Sequence, residues 1–288
     1  MRLVRGVFGV CIVLLLCIPL AAQASPQSPK PQSARPALDG WTGGPMPSTE
    51  TTPPLPAPRR DLSGIWDASN GHEPGDGIQP RGPRNMPDDG KPEHQLPYTP
   101  AGLAALQLNK PSDGTRAAQL DEINDPALIC DPQGMPRQNL YELRTTEILQ
   151  TADKMILLYQ FAKIWRVIWM DGRELPENPE PQWYGYSAGK WVDDFTFVAE
   201  TVGADARSWV DNVGRPHSDE MRIEEIFHRV SRDRMELTVT LTDPKFYTRP
   251  WVALDRFPLR RLPDDYHVRE MVCSPSEYRK YLKMFVGK

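Results

Sequence analysis

Apolar and polar residues alternate strictly from Met235 to Thr242, with Met235, Leu237, Val239 and Leu241 on one side and Glu236, Thr238, Thr240 and Thr242 on the other. Period two over that length describes a strand with one wet face. Runs rich in β-branched and aromatic residues flank it: "MILLYQFA" from 155, "IWRVIWM" from 164, "FTFVAETV" from 195, "MRIEEIFHRV" from 221, "WVALDRFPLR" from 251 and "YHVREMVC" from 266. "DLSGIW" from 61 reads as an earlier, first strand, while Asp171-Gly172 and "SRDR" from 231 mark turns. Strands in series with short turns and no intervening helix predict an antiparallel meander. A twisted sheet of so many strands curls until it closes, so the expected fold is mainly β, a barrel or strongly curled sheet.

Two stretches carry helical periodicity instead. In "TPAGLAALQLNK", Thr99 is the expected N-cap and Pro100 the first helical residue, with Leu103 and Leu106 facing inward. In "SPSEYRKYLKMF", Ser274 caps, Pro275 follows, Glu277 completes a capping box, and Tyr278, Leu282 and Phe285 share one face, a short C-terminal helix packed outside the barrel.

The N-terminal pattern is of another kind. Arg2 and Arg5 precede an apolar run from Val7 to Leu20 and small residues at Ala22 and Ala24, the layout of a secretory signal peptide over 1–24 with cleavage between Ala24 and Ser25. An acylated Cys17 and an uncleaved anchor are the competing readings. Residues 25–60, rich in proline, serine and threonine, are too polar to build a core and read as a disordered tether. Residues 61–288 then form one domain, with a long irregular insertion at about 67–125 where Gly and Pro cluster. No later segment is apolar enough to span a bilayer, so no transmembrane segment is expected after signal cleavage.

Charge and cysteine usage narrow the partners. Loss of Arg2 and Arg5, the only charges in residues 1–24, takes the formal net charge from −4 to −6, which disfavours nucleic acid. Cleavage also removes Cys11 and Cys17 and leaves Cys130 and Cys273, an even pair in a periplasmic or secreted setting that permits one disulfide.

Gly64-Ile65-Trp66 is similar to the glycine-any-tryptophan signature of a lipocalin first strand, and "TDPKFY" from Thr242 to Tyr247 to the Thr-Asp…Tyr turn of that fold. The likeness to lipocalins and the wider calycins implies a ligand-binding barrel in which Arg269, on the last strand, lies against the tryptophan. "DGRELPENPEPQWYGYSAGKW", "DNVGRPHSDEMRIEE" and "DPKFYTRPW" resemble a family of exported bacterial proteins of uncharacterised activity over about 125–288. That resemblance implies export and brings no catalytic residue with it.

Candidate chemistry sits in "WVDNVGRPHSDEMRIEEIF", residues 209–227. On a strand Ile223, Glu225 and Phe227 share a face, so an inward Glu225 lies between apolar neighbours, where burial disfavours the charged form as a general acid or base requires. His217 and Asp211 are placed to join it at the barrel mouth. The competing reading pairs Glu225 with an arginine and leaves His217 in a solvated hairpin. Aromatic residues form a second constellation: Trp66, Trp165, Trp169, Trp209, Tyr247 and Trp251, with Arg269, are the candidate ligand contacts, and Trp183, Tyr184, Tyr186 and Trp191 add to the supply. Trp165 and Trp169 oppose Ile164, Ile168 and Met170, so one of the two sets faces outward. There is no phosphate loop, nucleophile elbow, zinc helix or metal-ligand spacing, and no cofactor is expected. The partner these features suggest is a small apolar or aromatic molecule. The alternatives are an enzyme acting on a hydrophobic substrate through Glu225 and His217, and an envelope module that recognises glycans or proteins through exposed aromatics.

Overall fold

The computed structural model describes residues 53–68, 81–141 and 143–285. The expected signal peptide and residues 25–52 of the expected tether lie outside them. The described chain is mainly β: nine strands close into one barrel in chain order. They are β1 (Gly64–Asp67), β2 (Thr146–Gln150), β3 (Lys154–Tyr159), β4 (Trp165–Trp169), β5 (Tyr186–Trp191), β6 (Thr196–Val202), β7 (Arg222–Arg229), β8 (Arg234–Thr242) and β9 (Trp251–Arg261). The helices are α1 (Pro100–Leu108), α2 (Arg137–Leu140) and α3 (Pro275–Phe285).

The strands follow side-chain alternation. In β8, Met235, Leu237, Val239 and Leu241 are buried and the residues between them are not; β7 buries Ile223, Glu225, Phe227 and Arg229. Neighbours pair antiparallel throughout except at one seam, where β4 and β5 run parallel and join through a single residue pair, Trp169 with Ala188. The crossover of residues 170–185 causes this, since a chain that leaves β4 at one end and re-enters at the other must run the same way. The barrel closes by antiparallel pairing of β1 with β9.

Several expectations need correction. "YHVREMVC" is not a strand: β9 is the last, and residues 266–270 are irregular before an isolated bridge between Met271 and Phe161. Strands β2 and β5 were not anticipated, because "TEILQ" and "YSAGKW" are short and mix polar with small residues. The excursion after β1 runs on to β2, past 125, and includes α1 and α2. In α1, Thr99 does cap, its Oγ1 accepting from Gly102 N–H at 3.0 Å. Leu103, however, is 47% exposed, and the buried residue of α1 is Gly102. A Cβ there would come within 2.2 Å of the Phe246 carbonyl oxygen, so only glycine lets the helix backbone lie on the β8–β9 turn. α3 forms as expected and lies against the single turn Pro126–Ile129, beside the bridge between Cys130 and Cys273.

Candidate functional site

Glu225 points into the barrel as the alternation of β7 requires, and it is fully buried. It does not stand among apolar neighbours alone. Arg166 of β4, also inward, donates Nη1 to Glu225 Oε1 at 2.9 Å and Nη2 to Oε2, and Asn139 Nδ2 donates to Oε1 at 2.6 Å. Arg166 further donates Nε to Ser187 Oγ at 3.1 Å and Nη2 to Thr201 Oγ1 at 2.7 Å. This network spans four strands and crosses the parallel seam, where backbone pairing is thinnest. Burial works against the guanidinium charge, but Glu225 beside it outweighs that and holds the Arg166 pKa above its ordinary value. A carboxylate locked in a bidentate arginine pair, with a third donor from Asn139, has both oxygens engaged within the protein and is not free to exchange a proton with a substrate. The role of Glu225 as a general acid or base with His217 is therefore withdrawn.

His217 and Asp211 belong to another structure. Residues 203–218 are buried except for Ala206 and Arg207 and cover one end of the barrel, not the solvated hairpin the glycine and proline suggested. Loop backbone survives burial only if its polar groups are satisfied, and three aspartates do this. Asp211 Oδ1 accepts from the N–H groups of Val213 and Arg215 at 3.1 and 3.2 Å. Asp243 accepts from Ser218 N at 2.6 Å and Ser218 Oγ at 2.7 Å. Asp205 accepts from Arg207 N at 2.9 Å. Burial raises the Asp211 pKa against the pull of Arg215. His217 is held by Ser208 Oγ at Nε2, 3.0 Å, and by the Ser218 carbonyl at Nδ1, 3.1 Å, and burial lowers its pKa. Among the described residues, the hydrogen-bond partners of Asp211 and His217 are not those of Glu225.

The tryptophans divide between core and surface. Trp66 is buried, its Nε1 donating to Leu62 O at 2.9 Å, and the arginine over its ring is Arg229, 5.0 Å away, in place of the expected Arg269. Arg269 lies in the irregular segment after β9. Trp251 packs edge-on to Tyr247 at 5.6 Å, and the Tyr247 hydroxyl donates to Pro216 O at 2.6 Å, which pins the buried loop to the β8–β9 turn. Trp209 is buried beneath the Arg137 guanidinium, 5.7 Å away, itself in a buried bidentate pair with Asp125. These four aromatic side chains are structural.

Trp165 and Trp169 face outward, and Arg166 and Ile168 are the inward residues of the strand. Trp165 is 61% exposed. The two line a groove of about 920 Å³ at the β4–β5 seam, together with Trp183, Tyr184 and Tyr186 and with Leu175 and Pro176 of the crossover. Arg173 roofs Trp169 at 3.6 Å and is clamped by Asp171, with Nη2 to Oδ2 at 2.6 Å. The same Asp-any-Arg clamp recurs at Asp205 and Arg207, 4.4 Å over Trp183. Gln182 Nε2 donates to the Tyr186 hydroxyl at 2.8 Å at the polar margin. The crossover supplies the groove: a parallel seam leaves two strands joined at one point, and the connecting loop walls the gap. Reading strands alone missed Arg137, Asn139, Ser208 and Arg173; the repeated "DGR" and "DAR" beside tryptophans was the one available signal.

By contrast the lumen is filled. The cavity among Trp66, Ile148, Leu157, Tyr159, Phe227 and Leu237 measures about 20 Å³, room for about one water, against roughly 150 Å³ for a benzene-sized guest. Among the described residues no three His, Cys, Asp or Glu side chains are placed to hold a metal ion. No family model, curated protein or solved structure matches this chain.

Proposed function

We propose that this is an exported binding protein for a small, largely apolar or aromatic molecule, and that the ligand sits in the outer groove at the β4–β5 seam and not in the barrel lumen. The observation that carries this reading is an exposed Trp165 facing a groove of about 920 Å³ while the interior offers about 20 Å³. Ligand pockets fall at roughly 300–1,000 Å³ and combine aromatic walls with a few polar groups; the tryptophans and tyrosines are the walls, and Gln182 with the Tyr186 hydroxyl the polar groups. Export is supported by the layout of residues 1–24 and by the Cys130–Cys273 bridge, which suits a compartment that permits disulfides.

Titration of residues 25–288 with anilinonaphthalene sulfonate, followed by probe and tryptophan fluorescence, tests the proposal. Trp165→Ala is expected to weaken binding about tenfold, since a lost aromatic stack is worth roughly 1.4 kcal/mol. Unchanged affinity in Trp165→Ala and Tyr186→Ala variants would remove the ligand from this groove. Binding of oligosaccharides but of no aromatic compound would replace the proposed ligand with a glycan.

A further inference from the structure

We propose that Ser208 and His217 form a nucleophile and base pair on the floor of a second cleft, and that this cleft hydrolyses small uncharged carboxylic esters. The cleft has a volume of about 540 Å³ and shares no lining residue with the tryptophan groove. Its walls include Leu108, Trp209 and Phe246, and the charges around it, Asp131 and Asp219 against Arg207 and Lys245, balance, which favours a neutral substrate with an apolar part.

The proton on His217 can be placed from its partners. Nδ1 lies 3.1 Å from the Ser218 carbonyl oxygen, an atom that only accepts, so Nδ1 carries the ring proton. Nε2, 3.0 Å from Ser208 Oγ, is then a bare lone pair aimed at a hydroxyl, the arrangement of an activated nucleophile whose base is oriented by a third group. Burial keeps the ring neutral near neutral pH; Asp243 and Asp205 face it and oppose that effect in part. The serine is presented by the turn that Asp205 organises: Ser208 N and Ser208 Oγ both lie 3.0 Å from Asp205 O, so the hydroxyl proton has two acceptors. Gly134 makes room for it, since a Cβ at that position would fall 2.7 Å from Ser208 Oγ.

In the reaction, Ser208 Oγ attacks the ester carbonyl carbon as its proton moves to His217 Nε2. The bond from that carbon to the alcohol oxygen breaks, and Nε2 returns the proton to the departing oxygen. Water then attacks the acyl-serine by the same route, releasing the carboxylic acid and restoring the serine hydroxyl. Ester and water become acid and alcohol, with no change of oxidation state and no further reactant.

The test is reaction of the protein, residues 25–288, with diisopropyl fluorophosphate, read by intact mass and peptide mapping, beside hydrolysis of p-nitrophenyl acetate. One adduct on Ser208 is expected. Ser208→Ala should abolish it, and His217→Gln should slow both reactions by at least about 100-fold, the usual contribution of a general base. No adduct, an adduct on another residue, or ester hydrolysis unchanged in Ser208→Ala would overturn the proposal. The mapping uses the unaltered chain, so a variant that failed to fold would not leave the question open.

Discussion

Single residues carry the sharpest energetic consequences in this protein. Removal of one partner from a buried pair strands the other charge, at a cost of roughly 3–5 kcal/mol, whereas replacement of both by apolar groups is often neutral. Arg166→Met alone should therefore destabilise by about that amount in urea unfolding, and adding Glu225→Leu should recover most of it. Failure of the double variant to recover would mean that Asn139, Ser187 and Thr201, which also bond to this pair, need it for their own satisfaction. His217 sets a pH dependence. Its folded pKa lies below the ordinary value of 6.5, so the unfolded chain binds the proton more tightly. Its contribution to stability is present above pH 6.5 and is lost as pH falls through the folded pKa. Asp211 works in the opposite sense: its folded pKa is raised, so its contribution is present below about pH 3.8 and lost as pH rises through the folded value. Unfolding midpoints of wild type and His217→Gln should converge at low pH and separate above 6.5. At this scale the inward aim of Glu225 was legible from alternation, but its partner was not, because Arg166 lies 59 residues away and several arginines were equally available.

Among the elements, the β4–β5 seam and α1 are the informative pairings. β7 and β8 pair without interruption from Arg222 to Arg229, while β4 and β5 share one residue pair. Opening free energies follow local hydrogen bonding and packing. Amides of β5 that face the seam should exchange deuterium well before those of β8, and equal protection would show that the side-chain network holds the seam as firmly as a ladder does. Gly102→Ala tests the other pairing. With its Cβ 2.2 Å from the Phe246 carbonyl oxygen, α1 must lift from the turn, and overpacking of this kind costs typically 1–3 kcal/mol. Helix period placed α1 correctly in the chain but chose the wrong face, because apolarity pointed to Leu103 where the controlling quantity was the clearance a glycine allows.

At the scale of the whole molecule, one disulfide among the described residues ties the segment before β2 to the stretch that follows β9. Cys130 and Cys273 are 143 residues apart in sequence, and a bridge across so long a loop removes much freedom from the unfolded chain. Replacement of both by serine should lower stability by about 2–4 kcal/mol, measured as the denaturant midpoint with and without reductant. An unchanged midpoint in the serine variant would locate the bridge in a segment that opens independently of the barrel. By itself the sequence determined the mainly β class, the inward faces of β7 and β8, the C-terminal helix and the cysteine pairing, since period two, capping residues and an even thiol count are local or countable properties. Tertiary structure alone decided that the "WVDNVGRPHSDE" stretch is a buried loop, that Glu225 is half of an ion pair, and that the tryptophans of β4 line an outer groove. Each of these depends on which distant segments meet, and alternation within a strand assigns residues to one of two faces without saying what waits on either.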